Sequence, residues 1–111
     1  MNRQQLSEHI ASQCEKIVAC FKYKNKDYGG NEDGFKNFRE AAKRWLGDDS
    51  YDNMFKTLNI YADKHLIALS NTGIRGAEVS ERLIDIAVYA LLAHALYTEY
   101  EEGDGKNVAS L

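Results

Sequence analysis

The sequence predicts an all-α fold, a compact helical bundle of three long helices and one short helix, in a protein that forms a homo-oligomer. Three observations lead there. Residues 83–97, LIDIAVYALLAHALY, are apolar or aromatic at thirteen of fifteen positions, the exceptions being Asp85 and His94. A helix that apolar on nearly every side is wrapped by other helices or by a second subunit. The 111 residues contain no proline, against a usual share of about 5%, as long uninterrupted helices require. No stretch alternates with period two for long enough to be a strand.

The apolar segment is too short for a membrane span, and Glu81, Arg82, Glu99, Glu101 and Glu102 flank it. The expectation is therefore no membrane partner. The length fits one domain, residues 1–102, followed by a flexible tail, 103–111. A formal net charge of −3 gives no basis for direct nucleic-acid binding through bulk charge. The polar start MNRQQLSEHI has no apolar signal core, which predicts a cytoplasmic protein. Cys14 and Cys20 lie about 9 Å apart along one helix axis, beyond disulfide reach. Both read as reduced, small apolar packers.

Taken in order, Leu6, Ile10, Cys14, Ile17 and Phe21 recur at helical spacing, so the first helix starts near residue 3. It runs into KYKNKDYGGNEDG, where Gly29, Gly30 and Gly34 are strong breakers. The glycines lack a following GKT or GKS and a preceding strand, which excludes a P-loop. A short second helix covers residues 34–46, with Phe35, Phe38, Ala42 and Trp45 on its inner side and Gly47 as its C-cap. Asp48, Asp49 and Ser50 are N-cap candidates for the third helix. Met54, Leu58, Tyr61, His65 and Leu69 form its stripe, and Thr72-Gly73 closes it. The fourth helix begins around Ala77 and ends around Glu102.

Asp85 is the first functional suspect, because a carboxylate inside an apolar helix costs several kcal/mol unless paired, metal-bound or protonated. Glu81 lies four residues before it, so both carboxylates share one face. Such a pair suits Mg²⁺ held together with substrate phosphates, and Tyr89, another turn along, brings a hydroxyl or a stacking ring. Equally, Asp85 pairs with Lys64 or Arg39 across the bundle, which explains a buried acid without any ligand. Asp63 and Lys64 point about 100° apart, so only one of them faces Asp85. His65 and His94, each in an apolar stripe, read as hydrogen-bonded core residues. No HExxH or GxSxG motif is present, and nucleophilic hydrolysis has no visible machinery.

The loop and the start of the second helix crowd Lys24, Asn25, Asp27, Tyr28, Asn37 and Arg39 into sixteen residues. Lysine and arginine suit phosphate, asparagine a base edge or ribose, and tyrosine stacking. A solvated loop pinned to the core by Tyr28 and Phe38 accounts for the same composition.

Lys24-Asn25-x-Asp27-Tyr28-Gly29-Gly30, then Phe35-x-Asn37-Phe38-Arg39, then Asp63-Lys64, then Glu81-x-x-x-Asp85-x-x-x-Tyr89 occur in that order. The whole resembles a small phage and prophage family, labelled a nucleotide-modification-associated domain, with a KNxDYGG…NFR…DK…DLxxY pattern. The resemblance implies a ligand loop of Lys24, Asn25, Asp27, Tyr28, Asn37 and Arg39, with Asp63, Lys64, Asp85 and Tyr89 as the pocket floor. It also implies a host-cell cytoplasmic location. More distantly, the helical layout and the Glu81/Asp85 turn look like the all-α nucleoside triphosphate pyrophosphatases of the MazG and dimeric dUTPase kind, which hold Mg²⁺ between acidic pairs on two helices. This chain carries one acidic pair, spaced by four rather than three, and no second ExxE pair. The expectation is binding of a nucleotide or another phosphorylated small molecule, with slow or no hydrolysis. The alternatives are a Mg²⁺-dependent pyrophosphatase, an anti-defence protein that sequesters a host immune nucleotide signal, and a structural or interaction module.

Overall fold

The computed structural model describes residues 1–26 and 33–105. The helices are α1 (Arg3–Lys26), α2 (Lys36–Leu46), α3 (Tyr51–Thr72) and α4 (Val79–Tyr100). A 3₁₀ turn, Gly73–Arg75, precedes α4, and a π turn, Glu101–Gly105, follows it. Among the described residues there is no strand, and no helix is long and apolar enough to cross a membrane. The all-helical expectation is met, with three long helices and one short one.

The chain divides into two units, Met1–Gly34 and Phe35–Leu111. The first holds α1, which starts on a reciprocal cap: Gln5 donates its N–H to the Asn2 side chain at 2.8 Å, and Asn2 donates its N–H to the Gln5 side chain at 2.9 Å. This satisfies amide donors that a helix start leaves without partners. Leu6, Ile10 and Phe21 on its stripe are exposed, and Ile17 is half-buried. Cys14 and Cys20 are free thiols and exposed. The expectation that they pack as apolar side chains is thus corrected.

In the second unit α3 and α4 make the most extensive contact, and α2 packs on α3. Gly47 ends α2 with φ +97°, and Gly73 ends α3 with φ +65°, backbone that a Cβ disfavours. Ser50 caps α3 by accepting from the Asn53 N–H at 3.2 Å. Asn53 in turn donates to Asp48 Oδ1 at 2.7 Å and to the Leu46 carbonyl at 3.3 Å. One side chain therefore ties the end of α2 to the start of α3. The Ser50 amide, the Ser50 hydroxyl and Asn53 all donate to Asp48 and hold its carboxyl below the ordinary value.

The core consists of Ala42, Met54, Leu58 and Leu96, fully buried, with Phe35, Phe38, Tyr51, Tyr89, Leu92 and Ala93 packed around them. The expected stripes of α2 and α3 supply most of it. Trp45 departs from its stripe and is 77% exposed. The helix expected at the centre is covered on one side only. Tyr89, Leu92, Ala93 and Leu96 of α4 face the core, while Leu83 and Leu91 are 53% and 60% exposed.

Candidate functional site

The middle of α3 and the first half of α4 meet around one ring. Tyr89 of α4 lies 6.2 Å from Tyr61 and 6.0 Å from His65 of α3, centroid to centroid, the imidazole nearly parallel to the phenol. Phe38 of α2 closes the group, 5.9 Å from Tyr61 and 6.5 Å from Tyr89. These spacings fall in the range where aromatic pairs attract beyond simple burial.

His65 is the polar centre of the cluster. It is buried, and Arg82 Nη1 lies 3.2 Å from its Nδ1. A guanidinium only donates, so Nδ1 is the acceptor and Nε2 carries the hydrogen. Nε2 points to Asp85 Oδ2 at 3.7 Å, too long for a direct hydrogen bond but close enough for attraction. Arg82 is itself held by Glu78, the residue just before α4, at 3.1 Å. The relay Glu78–Arg82–His65–Asp85 thus fixes the imidazole tautomer and aims an N–H at a carboxylate.

The partner of Asp85 differs from both that the sequence suggests. Lys64 is exposed, and the residue of α3 that faces Asp85 is its neighbour His65. The reason is angular: a 100° step per residue turns His65 inward with Met54, Leu58 and Tyr61 and leaves Asp63 and Lys64 toward water. Asp85 itself is 53% exposed along its side chain, so the premise of a buried acid is corrected. His94 is also exposed, contrary to the core role expected of it, whereas His65 fills that role.

The remaining candidates are placed as follows. Asn37 and Glu81 are exposed on α2 and α4. Arg39 is half-buried and donates to Asp49 Oδ2 at 3.4 Å, with Lys43 Nζ 3.8 Å from the same oxygen. The NFR segment reaches the cluster through Phe38, the residue between Asn37 and Arg39. Lys24 and Asn25 belong to the last turn of α1, which ends before the first of its expected breakers, Gly29. Asp27 and Tyr28 lie outside the described residues. Among the described residues no three His, Cys, Asp or Glu side chains gather closely enough to hold a metal ion. Glu81 and Asp85 fit Mg²⁺ only as two carboxylates, with water or ligand oxygens completing its shell.

Arg82 and Glu78 were not recognisable as site residues from the sequence. Arg82 flanks the apolar segment and reads there as a solvated charge. The available signal was its pairing with Glu78 at i, i+4, which is common on any helix.

Two expected results follow from this geometry. Arg82→Met leaves the buried Nδ1 of His65 without a donor and should cost about 1–3 kcal/mol, measured by urea unfolding. Burial, the Asp85 charge and Tyr61, in that order, raise the Tyr89 phenol above its ordinary 10.0. The unfolded chain therefore loses this proton first. Stability is intact below the ordinary value and falls as pH rises through it toward the raised one. Unfolding midpoints at about pH 8 and about pH 11 should differ, and Tyr89→Phe should shrink the difference.

The chain matches no protein-family model, no curated protein and no solved structure. What the fold and the cluster define is a class: a small helical chain that presents a half-exposed carboxylate beside a buried, tautomer-fixed histidine and three aromatic rings in tilted and edge-to-face contact.

Proposed function

We propose that the chain binds a nucleotide or another phosphorylated small molecule and hydrolyses it slowly or not at all. The observation that carries the reading is the meeting, at one place, of two separated motif blocks and the residue that follows a third. Phe38 from the NFR block, His65 beside the Asp63-Lys64 block, and Asp85 with Tyr89 from the last block share a single contact cluster. A half-exposed carboxylate accepts N–H donors of a base or ribose hydroxyls, and the rings beside it offer stacking surface. Asn37, Arg39, Asp63 and Lys64 are further polar ligand contacts in this reading, taken from the resemblance. The resemblance alone adds Lys24, Asn25, Asp27 and Tyr28 as ligand-binding residues.

A Mg²⁺ ion would sit on Glu81 and Asp85 and take its other oxygens from water and phosphate. With only two carboxylates, that arrangement supports binding better than catalysis. Phosphoanhydride hydrolysis also needs a positioned water and a base to orient it. Incubation with a panel of nucleoside triphosphates, with and without Mg²⁺, tests the reading. Binding by calorimetry with turnover below about 1 s⁻¹ is expected. Metal-dependent pyrophosphate release above that rate would replace it with the pyrophosphatase reading, and no binding at all would leave an interaction module. Sequestration of a host immune nucleotide is the form that binding without turnover would take in a phage-encoded protein in its host's cytoplasm.

The same reading includes a homo-oligomer. Leu83 and Leu91 on α4 and Ile60 and Ile67 on α3 are all more than half exposed. A second copy would remove these surfaces from water. A monomeric mass by light scattering at micromolar concentration would overturn this part.

A further inference from the structure

A recess lies away from the Tyr89 cluster, where the start of α3 meets the end of α4. It encloses about 480 Å³ and is lined by Tyr51, Asp52, Phe55, Leu96, Tyr97 and Tyr100, with Ser50 at its edge. That volume is in the range of small-molecule sites. Leu96 is fully buried beneath it, whereas Phe55, Tyr97 and Tyr100 keep 44%, 50% and 42% of their surface exposed. Tyr51 and Tyr100 meet edge to face at 5.5 Å, which sets one wall. Large aromatic rings left open around an apolar floor form a surface that water does not fill well.

The charge around it is negative. Asp52 lines the recess, and Glu101, one turn after Tyr97, acts on the Tyr97 hydroxyl by charge and hydrogen bonding and raises its pKa. Glu99 and Glu102 flank Glu101 in the sequence. Arg39 and Lys43 pair with Asp49, and Lys56, one turn beyond Asp52 on α3, is exposed and does not line the recess. Carboxylates at the rim repel phosphate. Aromatic faces carry negative potential and attract cations, most strongly where water is partly excluded.

We infer that this aromatic, acid-rimmed recess binds a small organic cation, of the quaternary ammonium class, between Phe55, Tyr97 and Tyr100. The site is independent of the nucleotide reading, since it shares no residue with the Tyr89 cluster. The cation sits against the rings, and Asp52 and Glu101 supply the long-range attraction. Binding therefore weakens with salt.

Choline and its uncharged isostere 3,3-dimethylbutan-1-ol are the probes, titrated into the full chain with the ring protons of Tyr97 and Tyr100 followed by NMR. Choline is expected to move those signals with a Kd of about 1 mM or tighter, and the neutral isostere to bind at least about tenfold more weakly. Tyr100→Ala should weaken choline by about tenfold and Tyr100→Phe should not, since the ring face and not the hydroxyl does the binding. Asp52→Asn, a solvent-exposed change that leaves the rings in place, should weaken choline and leave the isostere unchanged. Equal affinity for the two probes would overturn the inference and make the recess a plain apolar surface. So would the absence of shifts at about 10 mM choline, or an unchanged choline Kd in Tyr100→Ala.

Discussion

Leu58→Ala should cost about 2–5 kcal/mol, a large share of the roughly 5–15 kcal/mol that holds a domain of ordinary stability together. Leu58 is one of four fully buried apolar side chains among the described residues, with Ala42, Met54 and Leu96. It stands on the face of α3 that meets both α2 and α4, so its removal opens a cavity that no neighbour on a separate element can fill without shifting. Urea unfolding followed by circular dichroism gives the number. A loss below about 0.5 kcal/mol would lie in the range of ordinary surface substitutions. It would mean that the stability of this chain resides elsewhere, in the contact between copies.

Asp85→Asn has its largest expected effect on binding. On the proposed nucleotide-binding reading, losing a charge-assisted hydrogen bond worth about 1.5–3 kcal/mol should lower nucleotide affinity by roughly 10- to 150-fold. Arg39→Ala should also weaken binding, although part of its effect would come through the lost pair with Asp49. The effect of Asp85→Asn on folding should stay under about 1 kcal/mol, because its contact with His65 is long and half-exposed. An acid buried against Lys64 would have cost about 3–5 kcal/mol instead. The double variant with Lys64→Met separates the two cases. Additivity within about 0.5 kcal/mol is expected, since Lys64 is exposed. Strong coupling with intact binding would make Asp85 a structural partner and remove it from the site.

The contrast between Asp85 and His65 shows how far residue spacing carries. Helical periodicity put Asp85 among apolar residues, and a residue so placed reads as buried. Burial is a property of the whole arrangement, however, and α4 is covered along Tyr89, Leu92, Ala93 and Leu96 only. Asp85 falls on the edge of that contact. His65, which periodicity also put in a stripe, falls at its middle. The same rule gave opposite outcomes because the partner helix covers one face and not the other.

The sequence by itself determined the helical class, the number of helices and most of their ends. The reasons are local. The absence of proline permits long helices, Gly47 and Gly73 supply the positive φ that ends two of them, and Ser50 supplies a cap. It also determined which residues of α3 turn inward, since a 3.6-residue period is a property of the chain alone. Only the tertiary structure decided that His65 rather than Lys64 meets Asp85, that Trp45 and His94 face outward, and that Arg82 supports the imidazole. Those outcomes depend on the angle and offset at which α2 and α4 pack on α3. Side-chain contacts between helices follow from that packing, and no pattern read along a single helix contains it.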